Sequence, residues 1–389
     1  MKYIDLYAGI GGFRQALDSQ GHKCVFTAEI NPAAIQTYEQ NYKDLAGFDL
    51  DSLQEMTEKE INKIIPDHDL LVGGFPCQPF SVGGKREGFN TEDTKGTQFF
   101  NILRILDVKK PKYIFLENVK NLFTHDGGKT WEIIKTELKK RGYLMPEKEI
   151  ILSPVDFGIP QNRNRVFIIG FKNKRPKNFE YNNYSKLINI LTNKKENEKY
   201  LIDTELLKVF EAWSELIANV SFGERRTIPV IWVDNLKLKN KIDENWPAWK
   251  KKYINDMTEF YKQNKEFIDK WKIKYNPESW SIRDKKLEWQ AGKNNKDFKN
   301  SIITLRQSGI RCKSKPIFPT LVAMIQTPII YDELLKQFRF ITPREAARLQ
   351  SFPENFKLNP IDSQAYKQFG NAVNVKVINE LVKYYFQNN

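Results

Sequence analysis

The chain has 389 residues, a net charge of +14, 40% hydrophobic and 13% aromatic content, which is enough apolar material for a large core and too much for a disordered polymer. No run is apolar for long enough to span a bilayer, and the N-terminus has no signal-peptide profile. Three scattered cysteines and three histidines give neither a disulfide framework nor zinc spacing, so the expectation is a cytoplasmic, metal-free protein without a membrane partner.

In chain order, short apolar runs at 2–6, 24–28, 70–74, 113–116 and 166–170 alternate with helical patterns at 31–41, 97–106 and 130–141. That alternation predicts an α/β fold with a parallel sheet and crossover helices. The residues at the strand ends carry chemistry. Asp5 leads into Tyr7-Ala8-Gly9-Ile10-Gly11-Gly12, Glu29 follows the second strand, Pro76-Cys77 the third and Glu117-Asn118 the fourth. Ligands bind outside the carboxyl ends of strands in open parallel sheets, so these groups are expected in one crevice.

The glycine turn after the first strand lets backbone pass close to a ligand, and Glu29 can accept hydrogen bonds from ribose hydroxyls, which describes a nucleoside site. Tyr7 is expected to stack on that nucleoside and Asp49 to lie at its adenine edge. The turn lacks the full G-x-G-x-x-G spacing, which disfavours a dinucleotide. Pro76 and Pro79 restrict the backbone around Cys77 and present a thiol at the tip of a buried strand. Glu117, a carboxylic acid in a dry pocket, can hydrogen-bond a ring nitrogen and protonate it. In Gln161-Asn162-Arg163-Asn164-Arg165, strand alternation sends Arg163 and Arg165 to one side, where they could hold a carbonyl oxygen and orient Glu117.

Residues 171–320 hold 32 Lys and Arg against 19 Asp and Glu, a surplus of 13 that leaves the remainder nearly neutral, and seven of the eight tryptophans. A basic, aromatic-rich insertion is the footprint of a polyanion binder. Within it, Trp246, Trp249, Tyr253, Met257, Phe260, Phe267 and Trp271 recur at helical spacing and are expected to be core. Thr342-Pro343-Arg344-Glu345 then reads as a capping box opening a helix to Phe352, followed by helices at 363–369 and 373–386. The expected domains are therefore 1–172, an inserted 173–318, and 319–389 returning to the first.

Thiolate, ring-nitrogen acid, carbonyl-binding arginine, nucleoside cofactor and polyanion-binding insert together describe conjugate addition to a pyrimidine. At this point the chain resembles the DNA (cytosine-5) methyltransferases of bacterial restriction-modification systems. The resemblance rests on Asp5-Leu6-Tyr7-Ala8-Gly9-Ile10-Gly11-Gly12-Phe13, Pro76-Cys77-Gln78, Glu117-Asn118-Val119, residues 161–165, and Gln368-Phe369-Gly370-Asn371-Ala372-Val373, in family order. Thr320-Leu321 matches the family's pair near the end of its recognition domain. Phe48-Asp49-Leu50 replaces the usual Gly-Asp-Ile, and Ser351 stands where glycine is common.

The resemblance implies a Rossmann-like S-adenosylmethionine-dependent methyltransferase domain with a smaller inserted target-recognition domain. It implies Cys77 as nucleophile, Glu117 at N3, and Arg163 and Arg165 at the base carbonyl or its supporting network. Asp5, Tyr7, Ala8, Gly9, Gly11, Gly12, Phe13, Glu29, Ile30, Asp49, Leu50, Asn371 and Val373 are then expected around S-adenosyl-L-methionine and its product S-adenosyl-L-homocysteine. Segment 78–96 resembles a lid, with Ser81, Lys85 and Arg86 as DNA contacts. The implied substrate is a flipped cytosine in double-stranded DNA; the rival is a transfer-RNA cytosine. A cognate restriction endonuclease acting on the same site, a monomeric state and nucleoid association in a prokaryote complete the expectation.

Overall fold

The computed structural model describes residues 1–76, 98–182, 184, 186–192, 194–223, 230–238, 242–324 and 326–387. Cys77, Ser81, Lys85, Arg86 and the expected lid, together with Thr97 at the head of an expected helix, lie outside the described residues. The strands are β1 (Lys2–Leu6), β2 (Lys23–Ala28), β3 (Leu70–Gly74), β4 (Tyr113–Val119), β5 (Tyr143–Leu144), β6 (Ile150–Leu152), β7 (Arg165–Lys172), β8 (Ile231–Trp232), β9 (Lys286–Gln290), β10 (Ser301–Arg306), β11 (Gly309–Ser314), β12 (Ile329–Asp332) and β13 (Gln337–Phe340). The helices are α1 (Gly12–Asp18), α2 (Pro32–Tyr42), α3 (Glu58–Ile64), α4 (Gln98–Lys109), α5 (Asn121–Thr124), α6 (Lys129–Lys140), α7 (Thr204–Asn219), α8 (Ala248–Gln263), α9 (Lys265–Tyr275), α10 (Pro343–Leu349), α11 (Asp362–Asn371) and α12 (Val375–Phe386). No helix among the described residues is long and apolar enough to cross a membrane.

The chain divides into two compact units: Met1–Ile190 with Thr320–Ala323 and Ala346–Asn389, and Leu191–Pro319 with Met324–Glu345. These bounds differ from the expected 173–318 and 319–389. Residues 173–190 stay with the first unit because their backbone is bonded there, Tyr184 N to Asp156 O at 3.1 Å and Ile188 N to Gly158 O at 2.9 Å. Residues 324–345 join the second because β12 and β13 form a hairpin and β12 pairs with β10. A boundary drawn from charge density cannot register such long-range pairing.

In the first unit the sheet order is β2-β1-β3-β4-β7-β5, with β6 on β7. Strands β2, β1, β3 and β4 are parallel, and the interior residues of β1 and β3 are buried, as expected of strands covered on both faces. The run expected at 166–170 departs from the parallel pattern, since β7 is antiparallel to β4. No crossover helix precedes it; after α6 the chain returns through β5 and β6, each antiparallel to β7. Residues expected after the fourth strand are also absorbed into it, so Glu117 and Asn118 lie within β4. At the sheet's switch point, β1 is flanked by β2 and β3, which places the glycine turn, Glu29 and the end of β3 around one crevice.

Helix starts follow from local chemistry. Asn31 caps α2 by accepting from Ala34 N at 3.1 Å, with Pro32 in the first turn, an arrangement of about 1 kcal/mol. The Thr342 and Glu345 capping box forms, with Thr342 N to Glu345 Oε2 at 2.7 Å and Glu345 N to Thr342 Oγ1 at 3.1 Å. The helix it opens ends at Leu349, short of Phe352, and Ser351 beyond it sits at φ +61, a conformation glycine adopts without cost.

The second unit is a six-stranded sheet, β13-β12-β10-β11-β9-β8, with α7 to α9. Trp213 and Trp271 are buried with ring centroids 5.5 Å apart, and their indole N–H groups donate to Asp284 O and Ala212 O. The aromatic stripe divides. Met257, Phe260 and Trp271 are core and Tyr253 and Phe267 pack against it, but Trp249 is 70% exposed and Trp246 lies under Lys250 Nζ at 3.5 Å. Trp246 precedes α8, which starts only at Ala248, and Trp249 stands exposed in its first turn. Arg339, fully buried, is neutralised by Asp332 at 2.6 Å and by both oxygens of Glu345 at 2.8 Å.

Candidate active site

A cavity of about 600 Å³ lies in the first unit, within the range of small-molecule sites. Its lining includes Tyr7, Ala8, Gly9 and Phe13 from the first turn and helix, Glu29 and Ile30 after β2, Asp49 and Leu50, Glu117 in β4, Arg163 and Arg165 before and in β7, and Asn371 and Val373. These thirteen expected residues from six separate stretches are thus brought together. Asp5, Gly11 and Gly12 are not, for they lie behind the lining. Gly11, at φ +83, packs so closely on Tyr42 that a Cβ would fall 2.9 Å from its Cζ, and Gly12 packs on Val373.

Glu29 organises the mouth of the turn. Its Oε2 accepts from Gly9 N at 2.8 Å, and Oε1 accepts from Ile30 N at 2.9 Å and Asn31 N at 2.8 Å. A carboxylate offers about four acceptor positions, so capacity for a hydroxyl donor remains. Tyr7 holds the strained φ of +55 and donates from Oη to Gln98 O at 2.9 Å. Asp49 Oδ1 caps the next turn at Asp51 N, 2.9 Å away. Sequence reasoning missed Asp51 and Gln98, which also line the cavity: Asp51 Oδ1 accepts from Gln98 Nε2 at 2.9 Å and from Asn101 Nδ2 at 2.8 Å. Their only signal was an acidic residue two positions after Asp49.

The register of β4 on β7 sets Glu117 opposite Phe167 and Val119 opposite Arg165, so Glu117 and Arg165 are diagonal neighbours. Arg165 Nε lies 2.9 Å from Glu117 Oε1. Burial pushes the Glu117 carboxyl pKa up, against the opposing pull of Arg165 and then Arg163. Asn118, whose role was not foreseen, donates from Nδ2 to Phe75 O at 3.0 Å and so fixes the end of β3 two residues before Cys77.

Arg163, expected at the base carbonyl or in its supporting network, lines the cavity but spends its guanidinium on backbone carbonyls. It is 3% exposed, and its Nη1 donates to Leu321 O at 2.8 Å while Nη2 donates to Gly370 O and Ala372 O, both at 3.0 Å. Burial and then the neighbouring Arg165 push the Arg163 guanidinium pKa down to about 9, against the opposing pull of Glu117.

Asp5 is fully buried, and both its carboxylate oxygens lack a hydrogen-bond partner. Burial, opposed by Arg14, pushes its pKa up to about 8. The folded state therefore keeps a proton that the unfolded chain releases above about pH 4, and stability falls as pH rises from there toward 8. Asp5→Asn is expected to flatten that fall, measured by urea unfolding between pH 5 and 8; an unchanged slope would assign it to other groups.

Three comparisons bear on this geometry. The family model described as C-5 cytosine-specific DNA methylase matches residues 1–387. The chain is 31% identical over 385 residues to the Type II methyltransferase M.HhaI of Haemophilus parahaemolyticus, covering 97% of this chain and 92% of that protein. It is 32% identical over 380 residues to M.HpaII of Haemophilus parainfluenzae, covering 97% and 86%. Among solved structures, the Entamoeba histolytica methyltransferase EhMeth aligns with TM-score 0.59 at 22% identity over 100% of this chain and 98% of that one, a likeness of fold.

Proposed function

As the chain belongs to the C-5 cytosine-specific DNA methylase family and is a DNA cytosine-5 methyltransferase, we propose that it methylates a cytosine flipped out of one short double-stranded sequence and that Cys77 is its nucleophile. The carrying observation is a single cavity whose lining joins Glu29 and Asp49 to Glu117 and Arg165. The first pair are acceptors suited to hydroxyl and amino groups. The second are an acid and a guanidinium suited to a pyrimidine's N3 and O2.

The residues fit S-adenosylmethionine: the cavity's volume is adequate, Ile30, Phe48 and Leu50 offer apolar walls to a purine, and Glu29 retains acceptor capacity. Tyr7, Glu29, Asp49, Asn371 and Val373 would hold it. Bound there, it supplies an electrophilic methyl group. The Cys77 thiolate adds to C6 and makes C5 an enamine-like nucleophile. Glu117 gives a proton or hydrogen bond to N3 as negative charge develops, and Arg165 holds O2. After C5 gains the methyl group, loss of its proton and expulsion of the thiolate restore the ring. Unpairing and unstacking the base costs a few kcal/mol.

The basic second unit supports duplex DNA as substrate, and protection of host DNA against an endonuclease of the same specificity is the role in keeping with the Type II relatives. Expression in a host without cytosine methylation, followed by bisulfite mapping, is expected to reveal 5-methylcytosine at one short motif. Unmodified genomic DNA beside methylated transfer RNA from the same cells would replace DNA by RNA as the substrate.

A further inference from the structure

We propose that Arg163 is a positioning residue which, with Gly370, clasps the strap Thr320–Ala323 to the wall of the cofactor cavity and thereby couples cofactor occupancy to DNA affinity. This rests on the reading that the cavity takes S-adenosylmethionine and the second unit takes DNA. The strap belongs to the first unit, yet the chain enters it from the second at Pro319 and returns to the second at Met324. It is therefore a covalent tether at which the second unit's polypeptide is fastened to the catalytic unit.

Three fastenings hold it, all within the first unit. Thr320 Oγ1 donates to Asn162 O at 2.7 Å, and Arg163 Nη1 donates to Leu321 O at 2.8 Å. Gly370 lies flush on the next peptide, where a Cβ would come within 2.6 Å of Ala323 N and closer still to the Val322 carbonyl. The other arm of the same guanidinium holds Gly370 O and Ala372 O, and 370–373 line the cavity. A planar fork with fixed donor directions thus ties strap and wall into one body, which a lysine with a single flexible ammonium cannot reproduce. Whatever orders the wall also orders the strap.

The test uses the full chain, a duplex carrying the mapped motif, and S-adenosylhomocysteine. The dissociation constant of the duplex is measured by fluorescence anisotropy with and without saturating S-adenosylhomocysteine, for the wild type and for R163K, G370A and T320V. In the wild type the nucleoside is expected to tighten the duplex by a factor in the range of about 5 to 150, typical of coupled sites. In R163K and G370A the factor, taken against each variant's own duplex affinity without the nucleoside, is expected to fall to roughly twofold or less, with T320V between. Alanine ordinarily favours a helix over glycine, so loss in G370A reports the clash with the strap. A merely structural role would lower melting temperature and both separate affinities together and leave the factor unchanged. A wild-type factor of one, or equal factors throughout, overturns the proposal. If G370A does not fold, R163K and T320V decide. Failure of the underlying reading looks different, because a wild type that binds neither ligand has no factor to measure.

Discussion

Cys77→Ala is expected to reduce methyl transfer by a factor on the order of 10⁶, the scale of removing a covalent nucleophile, while duplex binding persists. C5 of cytosine is a poor nucleophile in the intact ring, and only addition at C6 gives it enamine character. No neighbouring side chain on the cavity lining offers an equivalent: the cysteines among the described residues are Cys24 and the buried Cys312, neither of which lines it. Transfer of labelled methyl groups to the mapped duplex measures the loss, and anisotropy measures the retained binding. Transfer by the alanine variant at even a hundredth of the wild-type rate would remove the thiol from the mechanism.

Glu117→Gln is expected to cost between about 10² and 10⁴ in kcat, because an amide can still donate a hydrogen bond to N3 but cannot deliver a proton. The pH profile separates this from a packing defect. Burial raises the Glu117 pKa, so the acid form, populated below that pKa, persists further toward neutral pH than for an exposed carboxyl. Wild-type activity should decline on the alkaline side as this proton is lost, and the glutamine variant should lack that limb. Equal limbs in both proteins would assign the titration elsewhere. Arg165, 2.9 Å from Glu117, sets the opposite tendency, so its removal should move the limb to higher pH.

The strand ends were legible because each apolar run closes in residues that punctuate it: the glycine turn after β1, Glu29 after β2 and Pro76 after β3. Periodicity carries no direction, so β7 read as one more parallel strand although its short partners β5 and β6 return without a crossover. Residue type identified Arg163 as a guanidinium near the site, but its acceptors at 321, 370 and 372 come from the far end of the chain. Asp5 was recognised as part of a motif, and only the packing shows it buried and unpartnered behind the cavity. Asp51 and Gln98 escaped notice because they bond to each other, an interaction that leaves no pattern in composition or spacing, and Asn118 stood in a motif without its partner, the Phe75 carbonyl, being readable.

The central claim, that this chain forms a covalent bond from Cys77 to C6 of its target cytosine, is tested most directly by incubating it with S-adenosylmethionine and the mapped duplex bearing 5-fluorocytosine at the target. Fluorine on C5 cannot leave as a proton does, so the adduct stalls after methylation. The account predicts a denaturation-resistant protein–DNA complex whose nucleotide mass maps to the peptide holding Cys77. A nucleotide mass on another residue, or turnover of the fluorinated duplex with no adduct at all, would contradict it.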